Sequence, residues 1–326
     1  MSIAIVVPTY NRRTLFQRSV ASVLNQSYKA DWFLILDNHC IDGTEQDLEI
    51  LRVDLAARKM GPQPELVVYR SDENLGAARG MRFLFEKALA LGADWIWVMD
   101  DDGYADADAL ERLVTSPQFS QADAYILESA VIEPGGEWSP PNRPALFDED
   151  RFSFTGLPAE AINEKQAIEV HTGPYCGMFI RSVAFKDFGL PRDDFYLWYD
   201  DVEFVLRVSR QKKVYLIPQS RVRHAAQALV KYRNCWPFRG PLPEIPFDLL
   251  WRYYYLNRNW LWMAKQWLPF GRYSVFWFKH MMRSFLGPVL LGQQYLLIRW
   301  NVLGNAGVDA LLNRLGARAV AAPKKR

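Results

Sequence analysis

The sequence has few cysteines for its length. Its 326 residues include three, Cys40, Cys176 and Cys235. This small, odd number excludes a disulfide framework, and no pair has the spacing of metal ligands. We therefore expect free thiols in a reducing compartment.

Long apolar runs are also missing. Met1 leads directly into the apolar run Ile3–Val7, without the basic region and cleavage site of a signal peptide. In the C-terminal part the longest uncharged run, Ser284–Ile298, has fifteen residues and contains Gly287-Pro288, whereas a spanning helix needs about twenty apolar residues. We expect neither a signal peptide nor a transmembrane helix.

Acidic residues are absent from Leu249 to Val308. Residues 249–326 hold 12 Lys/Arg and one acid, Asp309, whereas residues 1–248 hold 27 Lys/Arg and 36 Asp/Glu. Fifteen of the 46 aromatic residues lie in 249–300. The net charge of +2 therefore hides an acidic body joined to a basic, aromatic C-terminal segment.

The body alternates between apolar runs and helical patterns. Helices are predicted at 14–24, with Thr14 as N-cap, at 44–58 and at 75–91. Between them lie strands that are apolar on both faces: Ile3–Val7, Trp32–Leu36, Leu66–Tyr69 and Trp95–Met99. This order predicts an α/β fold with a mostly parallel sheet flanked by helices.

Polar residues follow each predicted strand. Such sheets bind ligands beyond the carboxyl ends of their strands, so these residues predict a binding crevice without identifying its ligand. The four clusters are Thr9-Tyr10-Asn11-Arg12, Asp37-Asn38, Asp72-Glu73-Asn74 and Asp100-Asp101-Asp102.

The aspartate triplet is the clearest chemical signal. Adjacent carboxylates repel one another unless a cation or hydrogen bonds compensate. Alternate residues of an extended strand point the same way, so Asp100 and Asp102 can share one divalent ion while Asp101 faces elsewhere. Gly103 permits a close backbone approach. The alternative is a solvated acidic loop, or caps of the helix predicted near Asp106.

A second acidic cluster, Asp200-Asp201-Val202-Glu203, follows four aromatic residues at 195–199. Apolar surroundings raise the pKa of a carboxyl group, which suits a general base. The alternative is plain capping of the helix that begins here. His224 is the histidine best placed to complete a metal site with Asp100 and Asp102, with mixed O/N ligation suited to Mn²⁺ or Mg²⁺; a structural histidine is the alternative.

Five motifs in order resemble the family 2 inverting glycosyltransferases, over roughly residues 3–226. Within the family, the triplet, the Trp-x-Asp-Asp-x-Glu pattern and His224 look most like bacterial galactofuranosyl- and rhamnosyltransferases of polysaccharide assembly. Ala77-Ala78 departs from that subgroup, which leaves the donor sugar open. The motifs are Val6-Val7-Pro8-Thr9-Tyr10-Asn11-Arg12, Leu36-Asp37-Asn38 with Asp42-Gly43-Thr44, Asn74-Leu75-Gly76-Ala77-Ala78-Arg79-Gly80, Asp100-Asp101-Asp102 and Trp198–Arg207.

The resemblance implies a GT-A nucleotide-sugar domain and a role for each matching residue. A UDP- or dTDP-linked donor would lie on Pro8, Thr9, Tyr10, Arg12, Asp37, Asn74, Arg79 and Asp101. Asp100, Asp102 and His224 would hold Mn²⁺ or Mg²⁺ on the diphosphate. Asp201, or its neighbour Asp200, would deprotonate the acceptor, and Trp198, Tyr199 and Glu203 would contact it.

The basic aromatic segment fits helices that lie in the plane of a membrane surface. Trp and Tyr favour the bilayer interface, and Lys and Arg attract anionic head groups. The alternatives are a buried helical cap or a homo-oligomer contact. We expect no nucleic acid partner, because the remainder is acidic and carries no recognised binding module.

Together these features predict two domains, at 1–235 and 245–326. We expect a metal-dependent inverting glycosyltransferase, peripheral on the cytoplasmic face of a bacterial inner membrane, that extends a lipid-linked polysaccharide. The alternatives are a sugar nucleotidyltransferase, for which Pro8–Arg12 lacks the Gly-rich loop, and a catalytically inactive glycan- or membrane-binding module.

Overall fold

A computed structural model describes residues 1–57, 63–139, 142–224, 231–238 and 242–318. The chain divides into two compact units, which are described separately. The first unit comprises Met1–Phe147, Phe154–Asp193 and Asp201–Ala226. The second unit comprises Asp148–Ser153, Asp194–Asp200 and Gln227–Arg326.

The strands of the described residues are β1 Ile3–Thr9, β2 Trp32–Asp37, β3 Glu65–Arg70, β4 Trp95–Val98, β5 Gly103–Ala105, β6 Ala124–Ile132, β7 Ala145–Asp148, β8 Ser153–Gly156, β9 Ile168–Glu169, β10 Met178–Arg181, β11 Lys213–His224, β12 Lys231–Arg233 and β13 Leu242–Glu244. The helices are α1 Arg13–Leu24, α2 Thr44–Ala57, α3 Ala77–Ala90, α4 Ala109–Val114, α5 Val183–Phe188, α6 Asp200–Ser209, α7 Leu250–Trp267, α8 Phe270–Leu290 and α9 Leu296–Leu311.

The first unit is built on one sheet with the strand order β3-β2-β1-β4-β10-β6-β11-β5, and β9 pairs with β11. Strands β1 to β4 pair in parallel, as do β6 and β11, whereas β10 runs antiparallel to both of its neighbours. The predicted α/β fold with a mostly parallel sheet is therefore confirmed.

Helices cover both faces of this sheet because alternate residues of each strand point in opposite directions. Val6 belongs to the apolar cluster of α3, which includes Phe85. Val7 belongs to the cluster of α1 on the opposite face, which includes Phe16. The register places Thr9 of β1 opposite Asp37 of β2. The polar residues that follow β1, β2 and β4 therefore come together at one edge of the sheet.

The prediction of Thr14 as a helix cap was wrong. Helix α1 begins at Arg13, and its N-cap is Arg12, whose side chain makes no capping hydrogen bond. Helix α3 begins at Ala77 instead of residue 75, because Gly76 has a φ of 80°, which is not helical. The predicted end of α2 at Arg58 lies outside the described residues.

The second unit contains α7, α8, α9 and the β12–β13 hairpin. Its core joins aromatic residues of α7, such as Tyr254 and Tyr255, to Val302 and Leu303 of α9. Asp309, the acid of this basic segment, is buried and pairs with Tyr254 and Arg318. Within the described ranges, no helix is both long and apolar enough to cross a bilayer. The C-terminal Lys324-Lys325-Arg326 lies outside them.

Candidate active site

Strand pairing brings Asp100, Asp102 and His224 together. The triplet follows β4, and His224 is the last residue of β11, which pairs with β5 so that His224 lies opposite Gly103. One possible ligand atom from each of the three side chains lies within 4.8 Å of the others. His224 Nε2 and Asp102 Oδ1 are 3.0 Å apart. The predicted grouping of two carboxylates and one imidazole is thus what the fold produces.

The charges of this group are unevenly compensated. Burial raises the pKa of Asp100 to about 7, and the charge of Asp102 adds to the rise. Burial also opposes ionisation of Asp102, but the His224 hydrogen bond and charge outweigh it and lower the pKa of Asp102. The same hydrogen bond raises the pKa of His224 against the effect of burial. A cation between these groups would relieve the repulsion between the two carboxylates.

Gly103 lets the triplet pack closely on the neighbouring strands. A Cβ atom at Gly103 would lie 2.8 Å from the Sγ atom of buried Cys176. The predicted close approach at this glycine is confirmed.

Asp101 faces Arg12 and the end of β1. Its carboxylate accepts hydrogen bonds from Thr9 Oγ1 at 3.0 Å and from the Tyr10 backbone N–H at 3.3 Å. Arg12 Nη1 lies 3.0 Å from Asp101 Oδ1 and also pairs with Asp102. Pro8 is within β1, opposite Leu36. Three of the predicted donor-binding residues, Thr9, Tyr10 and Arg12, thus share Asp101 as their common acceptor.

The second part of the predicted donor site lies around Asp37. The carboxylate of Asp37 accepts a hydrogen bond from the Cys40 N–H at 2.7 Å. The neighbouring Asn38 donates to Asn74 Oδ1 at 3.2 Å, so two of the predicted clusters meet here. Arg79 is exposed, with its Nη1 atom 3.5 Å from Glu73. This arrangement brings Asp37 and Asn74 to the same edge of the sheet.

The second acidic cluster forms the start of α6. The Asp201 carboxylate accepts a hydrogen bond from the Val202 backbone N–H at 2.7 Å. Burial raises the pKa of Asp201 to about 6, although backbone hydrogen bonds from Val202 and Tyr175 oppose the rise. Its charge also contributes to the raised pKa of Asp100. The charge of Asp201 therefore acts on the group formed by Asp100, Asp102 and His224. A carboxyl group with a pKa of about 6 can accept a proton near neutral pH.

Glu203 lies one turn along the same helix. Its Oε1 atom is 2.9 Å from Arg207 Nε, an ion pair between residues four apart on α6. Arg207 also donates to the carbonyl oxygen of Leu190 at 3.1 Å. The predicted contact of Glu203 with the acceptor stays a prediction.

Sequence reasoning missed Glu128, a buried acid in the middle of β6. Neither of its carboxylate oxygens has a hydrogen-bond partner among the described residues. Burial, with a contribution from the charge of Asp201, raises the pKa of Glu128 well above its usual value. A Cβ atom at Gly173 would lie 2.5 Å from the Glu128 carboxyl group. The available signal was a lone acid within an otherwise apolar strand, Ala124–Ile132.

Within the second unit, residues 194–200 form a strained segment that leads into α6. Tyr196, Trp198 and Tyr199 have φ values of 65°, 64° and 70°, in the left-handed region that residues with a β-carbon rarely adopt. Both predicted acceptor-binding aromatics are in this segment. Trp198 packs against Tyr253, and Tyr199 against Trp260.

Two buried residues of α7 hold this strained segment. Arg258 donates to the carbonyl oxygens of Phe195 at 2.8 Å and Gly316 at 2.7 Å. Asn259 Nδ2 lies 3.0 Å from the carbonyl oxygen of Leu197 and 2.8 Å from that of Trp198. No sequence pattern indicated that Arg258 and Asn259 hold a loop, because both residues lie in a segment predicted to face a membrane surface.

The chain is similar to several known proteins. The family model "Glycosyl transferase family 2" matches residues 4–189. The chain is 38 % identical over 112 residues to the galactofuranosyltransferase GlfT1 of Mycolicibacterium smegmatis, covering 34 % of this chain and 33 % of that protein. It is 27 % identical over 213 residues to GlfT1 of Mycobacterium tuberculosis, covering 64 % and 65 % respectively. The chain thus spans less than two thirds of the length of either relative.

A solved structure is similar over nearly the whole chain. The crystal structure of S. aureus TarS 1-349 in complex with UDP-GlcNAc covers 95 % of this chain and 81 % of its own, with a TM-score of 0.56 and 16 % identity. At that identity the likeness concerns the fold, and it agrees with the α/β sheet of the first unit. Because the family model matches more than half of the residues, this chain belongs to glycosyl transferase family 2.

Proposed function

We propose that this family member is a metal-dependent, inverting glycosyltransferase that transfers galactofuranose, rhamnose or a similar hexose from a nucleoside diphosphate sugar to a hydroxyl group of a lipid-linked polysaccharide. The observation that carries the proposal is the joint placement of Asp100, Asp102, His224 and Asp201. It combines a group suited to a divalent cation with a carboxylate suited to accepting a proton.

The residues present fit a divalent cation. Two carboxylates and an imidazole are the mixed O/N donor set that suits Mn²⁺ or Mg²⁺. Burial and the neighbouring charge of Asp102 disfavour ionisation of Asp100, and a bound cation would favour it. When bound, such a cation would stabilise the negative charge that develops on the departing diphosphate.

The donor is proposed to lie along the sheet edge, between Asp37 with its neighbours and Asp101 with the residues that donate to it. Asp37 and Asn74 would bind the base, and Thr9, Tyr10 and Arg12 would lie along the ribose and diphosphate. The guanidinium of Arg12 is partly exposed and already held by two carboxylates, so it offers a fixed positive charge. The UDP-GlcNAc complex of TarS and the galactofuranosyltransferase names of the relatives support a nucleoside diphosphate sugar donor.

Asp201 is the proposed base. Its carboxylate would take the proton of the acceptor hydroxyl as that oxygen attacks the anomeric carbon. The bond to the diphosphate then breaks, with the electron pair leaving on the nucleoside diphosphate. Because one displacement inverts the anomeric centre, no covalent glycosyl-enzyme forms. Trp198 and Tyr199 would stack on the acceptor sugar.

The proposed location is the cytoplasmic face of a bacterial inner membrane, where the enzyme would act as a peripheral protein. The basic charge of residues 249–326 supports a membrane surface that carries anionic lipid. A lipid-linked acceptor would be presented at that surface.

Donor transfer by the full chain tests the function. A panel of nucleotide sugars is supplied with a soluble acceptor in Mn²⁺, Mg²⁺ or EDTA, and the products are analysed by mass spectrometry and, for anomeric configuration, by NMR. We expect transfer with inversion, and about 10²-fold or greater loss in EDTA. Retained configuration, or full activity in EDTA, would contradict the mechanism.

Asp102→Asn tests the metal group itself. We expect loss of Mn²⁺ binding in isothermal titration calorimetry, because one of two carboxylate ligands is removed. Asp108→Asn is the matched control, since this exposed acid pairs with Arg112 outside the group. Equal Mn²⁺ affinity in both variants would place the cation elsewhere.

A further inference from the structure

Helix α8 exposes an unusual apolar face. Its outward residues recur at helical spacing, and those at the centre of the face include no polar residue; Phe278 is 60 % exposed and Val275 54 %. A contiguous exposed apolar face of this kind marks an interaction surface. The α8 face consists of Val275, Phe278, Met282, Leu286 and Val289.

The orientation of the α8 face is fixed by contacts on the opposite side of the helix. Tyr273 and Met281 are buried. Trp277 Nε1 donates to the carbonyl oxygen of Gly307 in α9 at 3.1 Å. The side chain of Met281 packs directly against Gly307 of α9, where a Cβ atom would force it to shift. The apolar residues therefore point outward because larger aromatic residues anchor the inner side.

Basic residues flank the α8 face. Arg272 and Lys279 lie along one edge of it, where with Arg151 they line a cavity of about 720 Å³. Asp148 and Asp150 also line the cavity and pair with Arg151 and Arg272. Lys279 forms no ion pair within the part of the chain that the structure describes, so its charge is available to an anionic ligand.

We propose that the α8 face is the surface by which this enzyme docks on a bilayer containing anionic lipid. The inference rests on the lipid-linked acceptor of the proposed function. An apolar face of Phe, Met, Leu and Val would enter the headgroup–acyl boundary, while Lys279 and its neighbours would meet the lipid phosphates. No acid lies between Leu249 and Val308 to repel them.

Charge also distinguishes a membrane from a second copy of the chain. A symmetric pair of α8 faces would bring Lys279 of both copies to the same contact, where like charges repel, whereas Arg272 is already paired with Asp150. Anionic lipid is complementary to this edge instead. The face thus fits a lipid surface better than itself.

The role of the rest of the basic segment differs from the sequence-based expectation. Tyr253, Tyr254 and Tyr255 of α7 are buried in the core of the second unit. They are therefore unavailable to lipid. The docking function is proposed for α8 alone.

Co-sedimentation of the full chain with vesicles tests the proposal. We expect binding to vesicles of phosphatidylcholine with phosphatidylglycerol, weaker binding to phosphatidylcholine alone, and a loss of affinity as salt screens the charges. Failure of the wild-type chain to bind either vesicle would overturn the proposal.

Phe278→Glu tests the face. Phe278 would leave water on docking and contribute strongly to the apolar area that is buried. The affinity of the variant for the anionic vesicles should therefore fall about tenfold or more. Ile50→Glu is the matched control, an equal change at a 60 % exposed apolar residue of α2, and should keep wild-type affinity. Val275→Ser is a milder second variant if circular dichroism shows that Phe278→Glu is unfolded. Equal binding by the face variants and the control would refute the assignment.

Two further measurements separate the competing outcomes. Sedimentation velocity that shows a dimer dissociated by Phe278→Glu would assign the face to self-association instead. Transfer to a soluble acceptor tests the proposed function independently: lost transfer with intact vesicle binding defeats the function alone, and intact transfer without vesicle binding defeats the docking surface alone.

Discussion

The two units bury ionisable side chains and satisfy them differently. The buried acids of the first unit include Asp101 and Glu128, and the oxygens of Glu128 have no partner among the described residues. The second unit buries Arg258 and Arg299, which donate to backbone carbonyl oxygens such as those of Phe195 and Ile245. A buried carboxyl group without hydrogen-bond partners lowers the free energy of unfolding, whereas a buried guanidinium whose N–H groups are bonded to carbonyl oxygens stabilises the fold. The first unit thus tolerates a destabilising buried carboxyl group, whereas the second unit uses buried arginines to hold backbone segments in place.

The largest expected effect is that of Asp201→Asn. It should lower kcat by about 10²–10⁴-fold, because the proposed general base is lost. It should leave Tm equal or higher, since one of several mutually repelling carboxylates is removed. Steady-state kinetics and a thermal melt measure both quantities. Asp200→Asn serves as the neighbouring control, and a larger loss in that variant would transfer the role of base to Asp200.

Arg258→Met tests the opposite behaviour in the second unit. Its loss leaves the carbonyl oxygens of Phe195 and Gly316 without this donor, so we expect a destabilisation of about 3 kcal/mol. A drop in Tm is the measurement. Arg272→Met, which removes an exposed arginine paired with Asp150, should cost about 0.5 kcal/mol or less. Similar losses in both variants would show that the buried arginine has no special role.

Gly173→Ala should show how tightly Glu128 is enclosed. The new methyl group would lie against the Glu128 carboxyl group, and such overpacking costs about 1–3 kcal/mol. Gly135→Ala is the control, since nothing lies within 4 Å of a Cβ atom there. The double variant Gly173→Ala/Glu128→Ala should cost less than the sum of the single changes, because the crowded group is gone. Additive losses in Tm would argue against direct crowding.

The smallest effect is expected in the pH profile. Asp201 must be ionised to accept a proton, and burial raises its pKa to about 6, so kcat should increase as pH rises through about 6 and level off above it. Glu128→Gln should leave this inflection in place, because burial, and not the charge of Glu128, raises the pKa of Asp201. An inflection near pH 4 in the wild-type enzyme would mean that burial does not act on Asp201.

Much of the first unit was predictable because its strands are apolar on both faces and its polar residues stand at the strand ends. The same pattern placed Asp100 and Asp102 at the edge of the sheet, whereas Asp201 was singled out by its aromatic neighbours and assigned its role by the family resemblance. Adjacent residues such as Asp100 and Asp101 were separated by strand alternation alone. The role of His224 depended on the β11–β5 pairing, which joins residues far apart in sequence and leaves no local pattern.

The second unit was less predictable because composition does not reveal orientation. A helix rich in aromatic and basic residues looks like a surface, yet Arg258 and Asn259 are buried and hold a loop. Conversely, the apolar residues of α8 look like core and face outward. Helical spacing identifies an apolar face, but the packing of neighbouring helices determines whether that face is buried or exposed.

The short stretch 194–200 belongs with α7 although it lies far upstream in the chain. The strained loop 194–200 and helix α7, which holds it, therefore form one structural module that is encoded by two separate stretches of the sequence. A chimera that exchanges only the C-terminal region between relatives would pair Arg258 and Asn259 with a foreign loop. An exchange of the proposed acceptor preference between members of the family should succeed only when residues 194–200 and α7 are exchanged together.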